Sequence, residues 1–426
     1  MTHLSPKDLL KKAVKSSSRA SSRASSRATT PAGSRHASDL DEDGLSEGSD
    51  STLDSLASFQ DDLTIIDWSD ELKKGIEDLS EKRTTTRETA LLRLAKLLSH
   101  RYLNEDLTLQ RNTTMDALKK CIKKSASVQE KILSARVIAL CFITLGADEE
   151  DLYRDFAPIL KTIISNVTDG NVLSAAINCL SMICFVASSD EEETLKLMDM
   201  LTTIFKDSHQ TPQAIASAIN AHGLLYTTLD GSLRVTRDIF DSTMPIMTRL
   251  LESSSMELRV SSGENIALMI EVLSSESDAP FRYDRMDNLL ISLNMLATDG
   301  SKRRSKKDRS TQRSAFRDIV SFIEDDEAPE VKLKFHGEVI TFSGWSEIKQ
   351  LNAFREALAE GLHVHFQHNE LLHDIFEVSF TPDIEGEGHH PPSYVVSQNS
   401  ELSKSRSQEM NKQRQLHGRR IGFYDE

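Results

Sequence analysis

The chain has 426 residues and a formal net charge of −15, from 51 Lys and Arg against 66 Asp and Glu. A dedicated duplex-DNA binder carries a basic excess to neutralise phosphate, so the average composition argues against that class. The sequence holds no run of 18 or more apolar residues, which argues against a membrane-spanning helix.

The average hides a segregation of charge. Residues 1–60 carry 8 basic and 8 acidic groups, residues 61–300 carry 25 and 37, and residues 301–426 carry 18 and 21. The deficit therefore sits in the middle of the chain.

Residues 1–60 form a Ser/Arg-rich and then acidic head, in which Ser-Arg units recur every four residues between positions 18 and 28 without an apolar face. Such a segment cannot bury enough surface to offset the entropy of ordering, and disorder is expected. Each Arg-x-x-Ser suits a basic-directed kinase. Ser22 and Ser26, with Ser46, Ser49 and Ser51 among acids, are the candidate phosphosites, at which phosphate would erase the positive block. An Arg-rich, acid-poor start also fits a mitochondrial presequence, but its apolar cluster is limited to Leu9, Leu10, Ala13 and Val14.

From Trp68 onward apolar residues recur with the helical period. Residues 84–99 place Leu91, Leu94, Ala95 and Leu98 on one face behind threonines able to cap the start. Residues 127–145, 171–188, 212–229 and 256–273 are apolar around more of their circumference, as helices buried between others are. More amphipathic helices are expected between them, at 151–167, 191–206 and 235–252. Small residues recur at one point of these helices: Ala139, Cys179, Gly223 and Ala267 are separated by 40, 44 and 44 positions. That period predicts an armadillo/HEAT-like α-solenoid over residues 61–300. Cys121, Cys141, Cys179 and Cys184 fall in these stretches and read as buried free thiols of a reducing compartment.

A solenoid works through its surface, and here the charge is two-ended. Residues 61–140 hold 15 basic and 13 acidic groups, residues 141–300 hold 10 and 24. Lys119, Lys120, Lys123 and Lys124 cluster at the basic end. Acid runs at 148–151 and 190–193 precede helices, where they suit the helix dipole. Protein partners are expected on the solenoid groove.

Residues 301–330 read as a basic hinge with a short helix. Lys302, Arg303, Arg304, Lys306, Lys307, Arg309, Arg313 and Arg317 crowd into 301–317 with Asp308 as the one acid. So dense a run suits RNA phosphate, a nuclear import signal or a solvated helix entry.

Residues 331–380 follow as a small C-terminal α+β module, with a strand pair at 331–342 in which Val331, Leu333 and Phe335 alternate, then a helix near 346–360. His363, His365, His368 and His373 invite a metal reading. His368 and His373, however, lie five apart, about 140° around a helix, and no acid or cysteine stands at a ligand spacing, so packing or hydrogen-bonding roles are expected instead. The tail at 381–426 spreads Lys404, Arg406, Lys412, Arg414, Arg419 and Arg420 along a helix with little apolar face, suited to an anionic partner. No phosphate-cradling Gly loop, nucleophile elbow or paired acid motif is present; neither an enzyme nor a cofactor is expected.

The strings FREAL at 354–358, GLHVHFQ at 361–367, NELL at 369–372 and DIFE at 374–377, spaced from Trp345, resemble the C-terminal domain of the interferon-related developmental regulator family. LATDGSK at 296–302 and QRSAFRD at 312–318 resemble its junction. The resemblance implies an armadillo-like array without enzyme activity. It also implies ribosome binding that restrains translation, or transcriptional co-regulation with corepressor proteins, and hence cytoplasmic and nuclear residence.

Overall fold

The computed structural model describes residues 67–229, 233–275, 281, 283–299, 305–335 and 338–378. The candidate phosphosites, the Ser/Arg head and the tail cations from Lys404 to Arg420 lie outside them. In chain order, α1 (Trp68–Asp78), α2 (Thr84–His100), α3 (Asn104–Leu109), α4 (Arg111–Lys124) and α5 (Val128–Leu145) begin the array. It continues with α6 (Glu150–Asn166), α7 (Gly170–Ala187), α8 (Glu191–Lys206), α9 (Pro212–Tyr226), α10 (Leu233–Leu250) and α11 (Met256–Ser275). After these come α12 (Met286–Thr298), α13 (Lys306–Asp325), β1 (Glu330–Phe335), β2 (Glu338–Ser343), α14 (Trp345–Leu358), α15 (Leu362–His368) and α16 (Glu370–Phe376).

The helices whose sequence is apolar all round, α5, α7, α9 and α11, form a ladder that starts on the one-faced α2: α2 packs on α5, α5 on α7, α7 on α9 and α9 on α11. The more amphipathic α4, α6, α8 and α10 cover one side of it, each against the ladder helix that follows it. This is the stacked-hairpin arrangement of an armadillo-like solenoid, in which each unit buries its face against the next. α7 is 18 residues long and apolar enough to cross a membrane, yet 72% of it is buried among its neighbours. Its apolarity is accounted for by its place in the ladder.

Capping residues set where the ladder helices start. Ser127 accepts from the Glu130 amide at α5, Asp169 from Asn171 and Val172 at α7, and Thr211 from Ala214 at α9, where Pro212 fits the first turn. The threonines at α2 do not cap, because the helix already includes Thr84; Arg87 instead donates to the Glu81 and Lys82 carbonyls. Asp190 caps α8 through the Glu192 and Glu193 amides, as its acid run predicts. Glu149 does not cap α6, since its carboxylate is taken by Arg111 of α4, which also reaches Asp151 at 2.6 Å.

The recurring small residues have the packing cause expected of them. A Cβ on Gly223 would stand 2.2 Å from Oδ1 of Asn265, whose amide donates to the Ile219 carbonyl, so α9 and α11 approach as closely as they do only over glycine. All four cysteines are free and buried; desolvation pushes Cys121 up to about 11 and Cys141 up to about 12, which leaves both as unreactive thiols near neutral pH.

The region expected to be a hinge differs. α13 runs for 20 residues and packs on both α11 and α12, extending the ladder beyond residue 300. The reason is Gln312, buried to 2% exposure, which accepts from the buried Arg259 guanidinium of α11 and donates to the Leu296 carbonyl of α12. Phe316 and Ile319 fill the space beside Gly263 of α11.

Residues 331–378 form the small α+β module expected of them, a strand pair followed by helices, and it packs on the array. β1 and β2 pair antiparallel with Val331 opposite Phe342 and Leu333 opposite Ile340. Phe342 then joins Phe366, Phe376 and Phe354 in an aromatic knot of edge and tilted contacts with centroids 5.3–5.9 Å apart, and Phe185 of α7 closes on Phe354 at 6.0 Å. From this knot α14 and α15 lie across the ladder helices on the side that α4, α6, α8 and α10 leave open. The all-round apolarity of the ladder has its explanation here: it is the middle of three layers.

Candidate interaction surfaces

The layer formed by α14, α15 and α16 is a strap running from the last ladder helices back to the first. At its start the Glu271 carboxylate of α11 accepts from the backbone amides of Trp345 and Ser346, each at 2.7 Å, and from the Ser346 hydroxyl at 2.8 Å. An acid from one helix thereby caps the N-terminus of another, where the dipole favours negative charge. Gly344, at φ +87°, makes the turn that brings the chain onto this carboxylate. Next, buried Lys349 donates to Asn220 of α9 at 3.2 Å and lies 3.5 Å from Glu264 of α11, while Gln350 donates to Thr227 at 3.0 Å. Asn178 of α7 donates to Glu356 at 2.6 Å.

The far end is closer still. A Cβ on Gly361 would fall 1.6 Å from the Ser99 carbonyl oxygen, so strap and α2 meet backbone to backbone. His365, fully buried, donates from Nε2 to the Leu98 carbonyl at 2.9 Å. Since that oxygen only accepts, Nε2 carries the hydrogen and Nδ1 accepts from the Asn369 amide at 3.0 Å. The second Asn369 hydrogen goes to the Ile143 carbonyl of α5 at 2.9 Å, and its oxygen caps α16 by accepting from the Leu371 amide at 3.0 Å. Burial, with the Leu98 contact opposing it only in part, lowers His365 to about 4.

The histidines singled out in the sequence are therefore not gathered into one centre. His365 latches the strap, His373 hydrogen-bonds to the Phe366 carbonyl through Nε2, and His368 is exposed. Among the described residues no group of three or more His, Cys, Asp or Glu is arranged to hold a metal ion. Gly361, Asn369 and Glu271 are the key residues that sequence reasoning missed. Only Asn369, standing before a Leu-Leu pair in the pattern of a helix N-cap, carried a local signal.

The face expected to receive partners along the groove is thus occupied, from Leu98 to Glu271, by the chain's own helices. What remains outward is charge. Lys307 and Arg317 of α13 are exposed and Arg309 and Arg313 half-buried; none forms an ion pair with a described residue. Arg313 donates to the Asp299 carbonyl at 3.1 Å and Arg309 to that of Ser305 at 3.4 Å. Lys302, Arg303 and Arg304 lie outside the described residues, as does the Lys306 side chain. On α4, Lys119 is tied to Asp155 of α6 at 2.6 Å, whereas Lys120, Lys123 and Lys124 stand exposed.

The family model described as interferon-related developmental regulator matches residues 37–324. Interferon-related developmental regulator 2 of Mus musculus is 36% identical over 323 residues, 72% of each chain, and interferon-related developmental regulator 1 of Homo sapiens is 30% identical over 323 residues, 72% of this chain and 70% of that one. An uncharacterized protein of Schizosaccharomyces pombe is 20% identical over 330 residues, 70% of this chain and 72% of the other. Among solved structures, a designed armadillo repeat protein aligns with a TM-score of 0.37 at 15% identity over 58% of this chain and 99% of its own.

Proposed function

This chain belongs to the interferon-related developmental regulator family, and on that premise we propose that it is a non-catalytic adaptor in the control of gene expression. In this reading it restrains translation by contacting the ribosome through RNA phosphate, using residues 302–317 and the tail cations between 404 and 420. The observation that supports this is the placement of cations at the start of α13. Lys307 and Arg309 occupy the first turn, where the helix dipole disfavours positive charge by about 0.3–1 kcal/mol each, and no described acid outside the helix offsets them. Within the turn Asp308 is the one acid set against them. A phosphate held there would meet both the cations and the helix N-terminus.

Co-sedimentation of the full chain with ribosomes tests the reading at two salt concentrations. Binding is expected to fall steeply as salt rises, and to fall again when Lys302, Arg303, Arg304, Lys306 and Lys307 are all changed to Ser. Sedimentation unchanged by those substitutions removes the α13 assignment. The same run, with eight Lys and Arg in residues 301–317, is dense enough for a nuclear import signal, which favours a second reading as a transcriptional co-regulator assembling corepressor proteins. Exclusion of the tagged chain from the nucleus under all conditions rules that reading out.

A further inference from the structure

The terminal unit of a stacked helical array has no neighbour beyond it and stays soluble when its outer surface is polar. α12 departs from that. Ile291 and Met295, 60% and 68% exposed, stand one turn apart on it. The other large apolar side chains exposed among the described residues, Leu109, Val128, Leu233 and Val339, are spread singly over four different elements. With Leu290, Asn294 and Thr298, the pair floors a shallow trough between α12 and α13. Among the described residues its charged lining is Asp287 of α12 and Glu324 of α13, both exposed, and no described Lys or Arg lines it.

We propose that this trough is a docking site for an amphipathic helix of a partner protein, one that carries Lys or Arg beside its apolar stripe. The proposal rests on the adaptor reading and extends it by naming a class of partner and a place for it. Charge decides among the occupants. Asp287 and Glu324 repel RNA phosphate and anionic lipid headgroups. A second copy presenting the same trough would bring two more carboxylates and no described lining cation to the contact, because a two-fold interface uses the same patch on both sides. A basic apolar helix satisfies both halves of the surface, with aliphatic side chains on Ile291 and Met295 and cations on the two carboxylates. The length also fits: from Asp287 to Thr298 the trough spans three turns, about 16 Å, which suits anchors at helical i, i+3 and i+4 spacing.

The test uses two labelled helical peptides, one of Leu and Lys with Leu along one stripe and Lys on its flanks, the other with every Lys replaced by Glu. Each is titrated with the full chain by fluorescence anisotropy. The Leu–Lys peptide is expected to bind and the Leu–Glu peptide to show no binding at the same concentrations. Ile291→Ser combined with Met295→Ser is expected to weaken binding at least tenfold, Asp287→Lys combined with Glu324→Lys to do the same, and Leu109→Ser to leave it unchanged. These side chains are exposed, so both double variants should keep the parent melting curve; the charge-reversal pair carries the test if the serine pair does not fold. Equal affinity for both peptides, or full affinity in a folded double variant, overturns the proposal. Self-association of the chain that the serine pair abolishes assigns the trough to a second copy and overturns it too. Ribosome co-sedimentation of the same variants separates the two readings: loss of peptide binding with sedimentation kept, or the reverse, shows which has failed.

Discussion

The two ends of the strap are fastened by opposite chemistry. At its start a half-exposed carboxylate, Glu271, takes the free amides of α14; at its end a fully buried network of His365 and Asn369 holds two carbonyls without any net charge. The difference follows from burial. A carboxylate near solvent at a helix N-terminus keeps its hydration and gains from the dipole. Between α2 and α5 an ion would have to shed its water, and a neutral imidazole with both nitrogens matched does the work instead.

The largest effect that sharpens this contrast is a pH effect at the neutral end. His365 is lowered to about 4 in the folded chain, so between its ordinary value near 6.5 and 4 the unfolded chain binds a proton that the folded chain does not. Stability therefore holds above pH 6.5, declines as pH falls, and levels near 4, with a slope of about 1.4 kcal/mol per pH unit from this group. His222, lowered to about 4 by burial between Phe205 and Tyr226, adds an equal slope. Denaturation midpoints measured across that range check the slope, and His222→Phe is expected to reduce it without abolishing it; a slope that His222→Phe removes altogether contradicts the latch.

Gly361→Ala comes next. The helical φ of this residue accepts alanine, yet the methyl would meet the Ser99 carbonyl, so a loss of about 3 kcal/mol is expected, with faster proteolysis of the strap. Asn369→Ala leaves the Ile143 carbonyl and the Leu371 amide without their partner and is expected to cost about 2 kcal/mol by urea denaturation. Glu271→Gln keeps an acceptor but loses the charge at the α14 dipole, for about 1 kcal/mol. Were the charged end to prove costlier to break than the neutral one, the contrast would be inverted.

Much of the array was legible because its causes are local. All-round apolar helices at 127–145, 171–188, 212–229 and 256–273 coincide with ladder helices, and the spacing through Cys179 and Gly223 marks the close approach of Asn265. The strap was not legible. A sequence shows that Trp345 starts a helix, but the Leu98 carbonyl is 267 positions from His365 and nothing local points to it. The hydrogen-bonding role expected of the histidines holds for His365 and His373, but its partners were not legible, since those of His365 are a distant backbone carbonyl and an asparagine. Where a hinge with a short helix is expected at 301–330, a buried pair, Arg259 with Gln312, packs residues 306–325 as one long helix.

The distance spanned by the strap also sets a schedule for synthesis. Ribosomes add about 5–20 residues per second, so the 267 positions between Leu98 and His365 separate the appearance of the two by roughly 13–50 s. Throughout that interval the open side of α2, α5 and α7 has been made but its cover has not. A nascent chain in this condition presents a growing apolar stripe to chaperones and to other nascent chains, and truncation before residue 345 would make the condition permanent. The last described helices to leave the tunnel are the ones that close the first.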